Sequence, residues 1–205
     1  MKIKVILIVL CFVFGSYSYG QDYEAIQKAF AQSYTDEYNG DYSKAIDGLK
    51  KVYDENSYEV NLRLGWLNYM AGFFTESVTF YQKAITLKPM SIEAKLGYVY
   101  PASAMGKWET VKKQYSDILA IDPQNVTANY RMGSIFYGNE DYTTALKYFE
   151  KVVNLFPFDH DGLLMYAWTN FKLGKTKEAE LLFHKVLMNT PNDVSALEGL
   201  GLINK

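Results

Sequence analysis

The chain has 205 residues, with 21 lysines and arginines against 23 acids, a net charge of −2, and 49% apolar and 16% aromatic content. That balance excludes a dominant basic surface for nucleic acid. The apolar fraction suffices for one continuous core, and no Gly/Ser-, Pro- or charge-rich tract points to disorder.

The first element in chain order is a leader. Lys2 and Lys4 precede the apolar run Val5 to Phe14, which ends at Gly15 and Ser16 and is followed by Ser18, Tyr19 and Gly20 and then the polar Gln21 and Asp22. A basic start, a short hydrophobic stretch and small residues before a cut after Gly20 make the pattern of a secretory signal peptide, residues 1–20. The alternative, an uncleaved membrane anchor, needs roughly 20 apolar residues, about twice this run. Cys11, the single cysteine, lies inside the run after Ile8-Val9-Leu10, so lipidation there is not expected. Cleavage removes two lysines, no acid and Cys11, leaving 19 basic and 23 acidic residues, a net charge of −4. The mature chain then has no disulfide, thiol nucleophile or thiolate metal ligand, and no transmembrane segment is expected in it.

From there on the sequence repeats. Pro89, Pro123, Pro157 and Pro191 stand 34 residues apart, a regularity that makes internal repeats the first hypothesis. Two residues after each comes Ser91, Asn125, Asp159 or Asp193, side chains able to accept from the free amides of a starting helix. Seventeen residues before each lies Gly72, Gly106, Glu140 or Gly174, with Gly40 in the same series, the turn between two helices of one unit. Apolar residues between these marks recur at helical spacing, as in Leu146, Phe149, Val152 and Val153. The units are 26–57, 58–91, 92–125, 126–159 and 160–193, followed by a C-terminal helix over 194–205. With the proline numbered 32, position 20 reads Ala45, Ser77, Val111, Ala145 and Ala179. Position 24 reads Leu49, Tyr81, Tyr115, Phe149 and Phe183, and position 8 reads Ser33, Gly65, Val99, Gly133 and Ala167.

Small residues at 8 and 20, a large one at 24 and Pro at 32 resemble the tetratricopeptide repeat family, whose 34-residue units are helix–turn–helix pairs. The resemblance covers nearly all of residues 26–205. It departs at Val99 and Val111 in the third unit, at Thr176 where an aromatic is usual, and at a first junction two residues short and without proline, so those units are expected to pack less regularly. It implies an all-α fold, a right-handed α-solenoid of antiparallel helix pairs with about five units and a C-terminal capping helix. Glu198, Asn204 and Lys205 suggest a polar cap; the alternatives are a helix that docks a partner or begins a further repeat.

Groups that could carry chemistry are few. His160 and His184 stand far apart, at no metal-site spacing. Asp159-His160-Asp161 reads as a helix cap with first-turn charge, or alternatively as a metal cluster. No phosphate loop, nucleophile elbow or zinc signature is present, so catalytic residues, a bound metal, a cofactor and enzymatic activity are not expected.

The family resemblance implies instead a concave groove lined by the first helix of each unit. Carried over position by position, the groove residues are Arg63, Trp66, Tyr69, Tyr100, Tyr130, Arg131, Tyr137, Trp168 and Phe171, with Tyr34 and Tyr38. Arg63 and Arg131 share position 6, two units apart, and are expected to point the same way. Two readings of these side chains stay open, contacts for an extended peptide or partner helix, or packing between adjacent first helices. The basic clamp that some family members use on chaperone tails needs Lys at position 5, where this chain has Phe30, Leu62, Leu96, Tyr130 and Leu164. Pro101, inside the third unit's first helix, either shapes the groove centre or is a tolerated bend.

The function these features imply is an exported protein–protein interaction scaffold that takes a peptide segment or partner protein in its groove. The alternative is a carbohydrate- or small-ligand-binding module in which groove rings stack on sugars. The Lys-, Asn- and Tyr-rich, Arg-poor usage resembles that of a low-GC Gram-negative bacterium, which would put the cleaved chain in the periplasm or outside the cell.

Overall fold

The computed structural model describes residues 23–204, so the expected leader over residues 1–20 lies outside the described residues. Among the described residues there are eleven helices and no strand. They are α1 (Tyr23–Tyr38), α2 (Tyr42–Lys50), α3 (Tyr58–Met70), α4 (Phe74–Leu87), α5 (Ile92–Ala104) and α6 (Trp108–Ile121). After these come α7 (Val126–Gly138), α8 (Tyr142–Leu155), α9 (His160–Lys172), α10 (Thr176–Asn189) and α11 (Val194–Ile203). Consecutive helices pack in antiparallel pairs, and each pair stacks on the next to form the expected solenoid.

Ser91, Asn125, Asp159 and Asp193 act as their spacing predicts, and Ser57, at the junction without proline, does the same. Ser57, Ser91, Asn125, Asp159 and Asp193 each accept from an amide in the first turn of the helix they precede, at 2.7–3.3 Å, satisfying a donor the helix cannot. Capping is thus the role of Asp159. No group of three or more His, Cys, Asp or Glu among the described residues is placed to hold a metal ion. The turns within pairs are left-handed at Gly40, Gly72, Gly106 and Gly174, with φ of 69 to 80°, and Glu140 adopts the same conformation at φ 61° without the freedom of glycine.

Position 24 supplies the wedge between units. The Tyr81 ring lies under Gly65 of its own unit, where a Cβ would come within 2.9 Å of it, and also under Gly97 of the next. Phe149 sits under Gly133, and Phe183 under Gly199. At the third unit the corresponding ring, Tyr115, is flanked by Val99 at position 8 and Arg131 at position 6 of the following unit. α3 packs on α5, α7 on α9 and α9 on α11, whereas α1 and α3, and likewise α5 and α7, approach each other less closely, and a cavity of about 700 Å³ opens between α5, α6 and α7. This is the irregularity expected of Val99 and Val111. Pro101 is buried within α5 and does not line that cavity.

Two ends depart from the regular unit. The first pair is short, since α2 stops at Lys50 after nine residues. At the other end α11 covers Phe183 through Gly199, but its outer side is apolar rather than polar. Val194 is 79% and Leu197 48% exposed, and the space over Gly201, at position 8, is open. The polar-cap expectation is corrected here: beside the exposed Glu198 and Asn204, the outer side of α11 carries an apolar strip. None of the described helices is long and apolar enough to cross a membrane.

Candidate binding face

The residues expected in the groove fall into four environments. Arg63 is 8% exposed and its charge is committed inside the protein. Its Nη1 lies 2.6 Å from Glu37 Oε2, its Nε donates to Ser33 Oγ at 3.0 Å, and its guanidinium stacks 3.9 Å over the Tyr34 ring. Trp66 Nε1 donates to the other Glu37 oxygen at 2.5 Å. Glu37 is held in turn by one arginine and one indole, charge-assisted bonds stronger than neutral ones. The group locks α1 to α3, and only Arg63 Nη2 lacks a partner.

A ring cluster follows along the same face. Tyr69 and Tyr100 lie 5.5 Å apart, Trp66 approaches both at 5.8 and 6.4 Å, and Phe74 closes the set 5.9 Å from Tyr69. Tyr100 is 51% exposed at the centre of the face. It belongs to two hollows, one lined by Tyr34, Leu62, Arg63, Trp66 and Ile92, the other being the α5–α6–α7 cavity.

The remaining rings are tied to their own unit or to the helix that follows it. Tyr130 packs edge-on against Phe149 and Tyr137 against Tyr142. Trp168 rests between Phe171 and Phe183, with its Nε1 donating to Ser195 Oγ at 2.8 Å. All four are half-buried. Burial also raises the pKa of the Tyr130 and Tyr137 hydroxyls, since an ionised phenolate would lose its water. These side chains serve chiefly as joints between helices.

Arg131 differs from Arg63 although both stand at position 6. It is exposed, forms no ion pair among the described residues, and lies 5.9 Å from the Tyr130 ring. It borders the α5–α6–α7 cavity, whose deep wall is Val99, Val111 and Tyr115, all buried, and whose rim carries Tyr100, Trp108 and Lys112. Burial raises the Tyr115 pKa, and Arg131 opposes that rise only in part. Lys112 is held by Glu109 at 3.0 Å. Trp108, 56% exposed, and Lys112 sit on a second helix and were not expected in the groove. The two arginines could have been told apart in the sequence. Position 12 of the preceding unit is Glu37 for Arg63 but Ser103 for Arg131, so only one has an internal carboxylate within reach.

Residues 136–200 match the family model described as "Tetratricopeptide repeat". The chain is 27% identical over 165 residues to the TPR repeat-containing protein YpiA of Bacillus subtilis (strain 168), a match covering 78% of this chain and 39% of YpiA. The chain therefore spans about two-fifths of that relative's length. Among solved structures it resembles a tetratricopeptide repeat protein from Parabacteroides merdae, with a TM-score of 0.75 and 20% identity over 88% of this chain and 72% of the other. It also resembles YrrB, described as a TPR protein with an unusual peptide-binding site, with a TM-score of 0.65 and 19% identity over 79% and 81%. The fold is that of a tetratricopeptide-repeat solenoid, and the matched profile and relatives support placing the chain with tetratricopeptide-repeat proteins.

Proposed function

We propose that this protein is an exported, non-catalytic interaction scaffold that holds a segment of a partner protein on its concave face. The observation that carries the reading is Arg131, an exposed cation without an internal carboxylate, beside an apolar cavity of about 700 Å³ and the half-exposed Tyr100. Exposed aromatic and Arg side chains around a desolvated hollow are the usual makings of a binding hot spot. The tetratricopeptide fold and the peptide-binding site ascribed to YrrB support the same class of partner. Export rests on the leader pattern over residues 1–20, which places the working chain in the periplasm or beyond.

The test is affinity capture by residues 21–205 from envelope extract of the source organism, in parallel with an Arg131→Glu variant. A protein held by the wild type, lost from the variant, and binding again when purified alone supports the scaffold. If nothing is held by either, the reading fails and a glycan array becomes the next measurement. Export is tested separately by sequencing the N-terminus of the native protein. A start at Gln21 is expected, and an intact Met1 would overturn it.

A further inference from the structure

The chain contains two versions of one junction, and only the first is complete. Between the first and second units, Tyr34 stacks on Arg63, Glu37 neutralises it, and Trp66 lies alongside, donating to the same carboxylate. Two units later the helical positions of Tyr34, Glu37, Arg63 and Trp66 are taken by Tyr100, Ser103, Arg131 and Ser134. The tyrosine and the arginine recur. The carboxylate and the large aromatic ring are each replaced by serine, and both serines line the cavity between α5, α6 and α7.

What is missing at the second junction is therefore one carboxylate and one aromatic side chain. Resting on the groove reading above, the geometry points to a ligand that supplies both: a partner-protein segment with an aromatic residue beside an Asp or Glu. Its ring occupies the cavity against Val99, Val111 and Ile135, on the side where Trp66 stands at the first junction, and its carboxylate meets Arg131 as Glu37 meets Arg63. The volume suits an inserted side chain, lying within the range of about 300–1,000 Å³ common to ligand hollows. The charge suits an acid, since Arg131 makes no ion pair among the described residues and the other rim cation, Lys112, is only partly offset by the exposed Glu109. A planar guanidinium can grip a carboxylate with two parallel bonds, fixing the segment's orientation as well as its charge.

The experiment pans a phage-displayed library of random dodecapeptides on the wild type, on Arg131→Glu, and on Ser103→Glu/Ser134→Trp, which writes the first junction's residues into the second. Wild-type selections are expected to carry an aromatic residue within a few positions of Asp or Glu. Synthetic copies, followed by fluorescence anisotropy, are expected to weaken at least about tenfold on both variants, the size of loss a hot-spot contact gives. Arg131 is exposed, so Arg131→Glu keeps the test decisive even where the double variant folds poorly. Selections without the acidic–aromatic pair, or affinities unchanged on Arg131→Glu, overturn the inference. If the selected peptides then lose affinity on Tyr69→Ala, the groove reading stands and only its assignment to this cavity falls. An absence of enriched peptides also overturns the inference, and partner capture then decides the wider reading independently.

Discussion

Two arginines at the same repeat position meet opposite fates, and the difference is measurable. Removing Arg63 leaves Glu37 partly buried with one donor lost and Ser33 Oγ with only its bond to Phe30 O, so Arg63→Ala is expected to lower stability by about 2–4 kcal/mol. Arg131→Ala removes only an exposed side chain and is expected to change stability by no more than about 0.5 kcal/mol. Urea denaturation of the two variants separates these outcomes, and equal losses would contradict the assignment. Glu140 offers the reverse case. It holds a left-handed turn, φ 61°, that the other units give to glycine, so Glu140→Gly is expected to raise stability by about 0.5–1 kcal/mol, read as a higher Tm. His160 carries a pH dependence. Its Nδ1 lies 2.8 Å from Asp161 and its Nε2 3.0 Å from Asp193, and these two carboxylates, Asp161 foremost, raise its pKa above the ordinary 6.5. A raised folded value means that the stabilisation is complete below about pH 6.5 and is lost as pH rises through the higher value. The side chain is 30% exposed, which limits the effect to about 1 kcal/mol. The Tm difference between wild type and His160→Gln should therefore be present in mild acid and vanish in mild alkali.

At the scale of helices, caps and wedges follow from the repeat itself. The 34-residue proline series and the side chains two residues beyond each proline located the first-helix starts in the sequence, because a cap acts on the amides of its own first turn and needs no tertiary information. Position 24 was equally legible, since Tyr81, Phe149 and Phe183 meet small residues fixed by the same register. Gly199→Ala would press a methyl group into the Phe183 ring, so it is expected to cost about 1–3 kcal/mol by overpacking and to loosen α11 selectively, seen as faster amide exchange there. A link between units escaped the pattern because it joins side chains of different chemistry. The first residue of α3, Tyr58, bonds Ser91, the cap of α5, at 2.7 Å, and the first residue of α9, His160, bonds Asp193, the cap of α11, at 3.0 Å. Both pairs are one repeat apart. Residue type alone does not show that a phenol and an imidazole do the same work.

Across the whole molecule, the repeat count and the pairing of helices were legible because each unit touches mainly its neighbours, so periodicity translates directly into architecture. The face was less so. Trp168 and Tyr137 carry the same repeat positions as groove residues yet pack against Phe183 and Tyr142, and whether such a ring faces a ligand depends on side chains one unit away. The cavity had a partial sign in Val99 and Val111, but its lining by Arg131 and Trp108 depends on how α5, α6 and α7 come together. The apolar outer strip of α11 went unread because Glu198 and Asn204 suggested polarity while Val194 and Leu197 set the exposed surface. Replacing Val194 and Leu197 with Glu is expected to leave the melting temperature within a few degrees and to improve solubility, checked by calorimetry and light scattering.

The separation of α5 from α7 also bears on how the molecule unfolds. A solenoid is cooperative only to the extent that neighbouring units pull on each other, and here the first helices of the third and fourth units, like those of the first and second, pack less closely than those of the other neighbours. Units on the two sides of that gap can yield in separate steps, with hydrogen exchange showing two levels of protection rather than one. A guest bridging Tyr100 and Arg131 would then act as a stitch, drawing two half-independent bodies into a single transition.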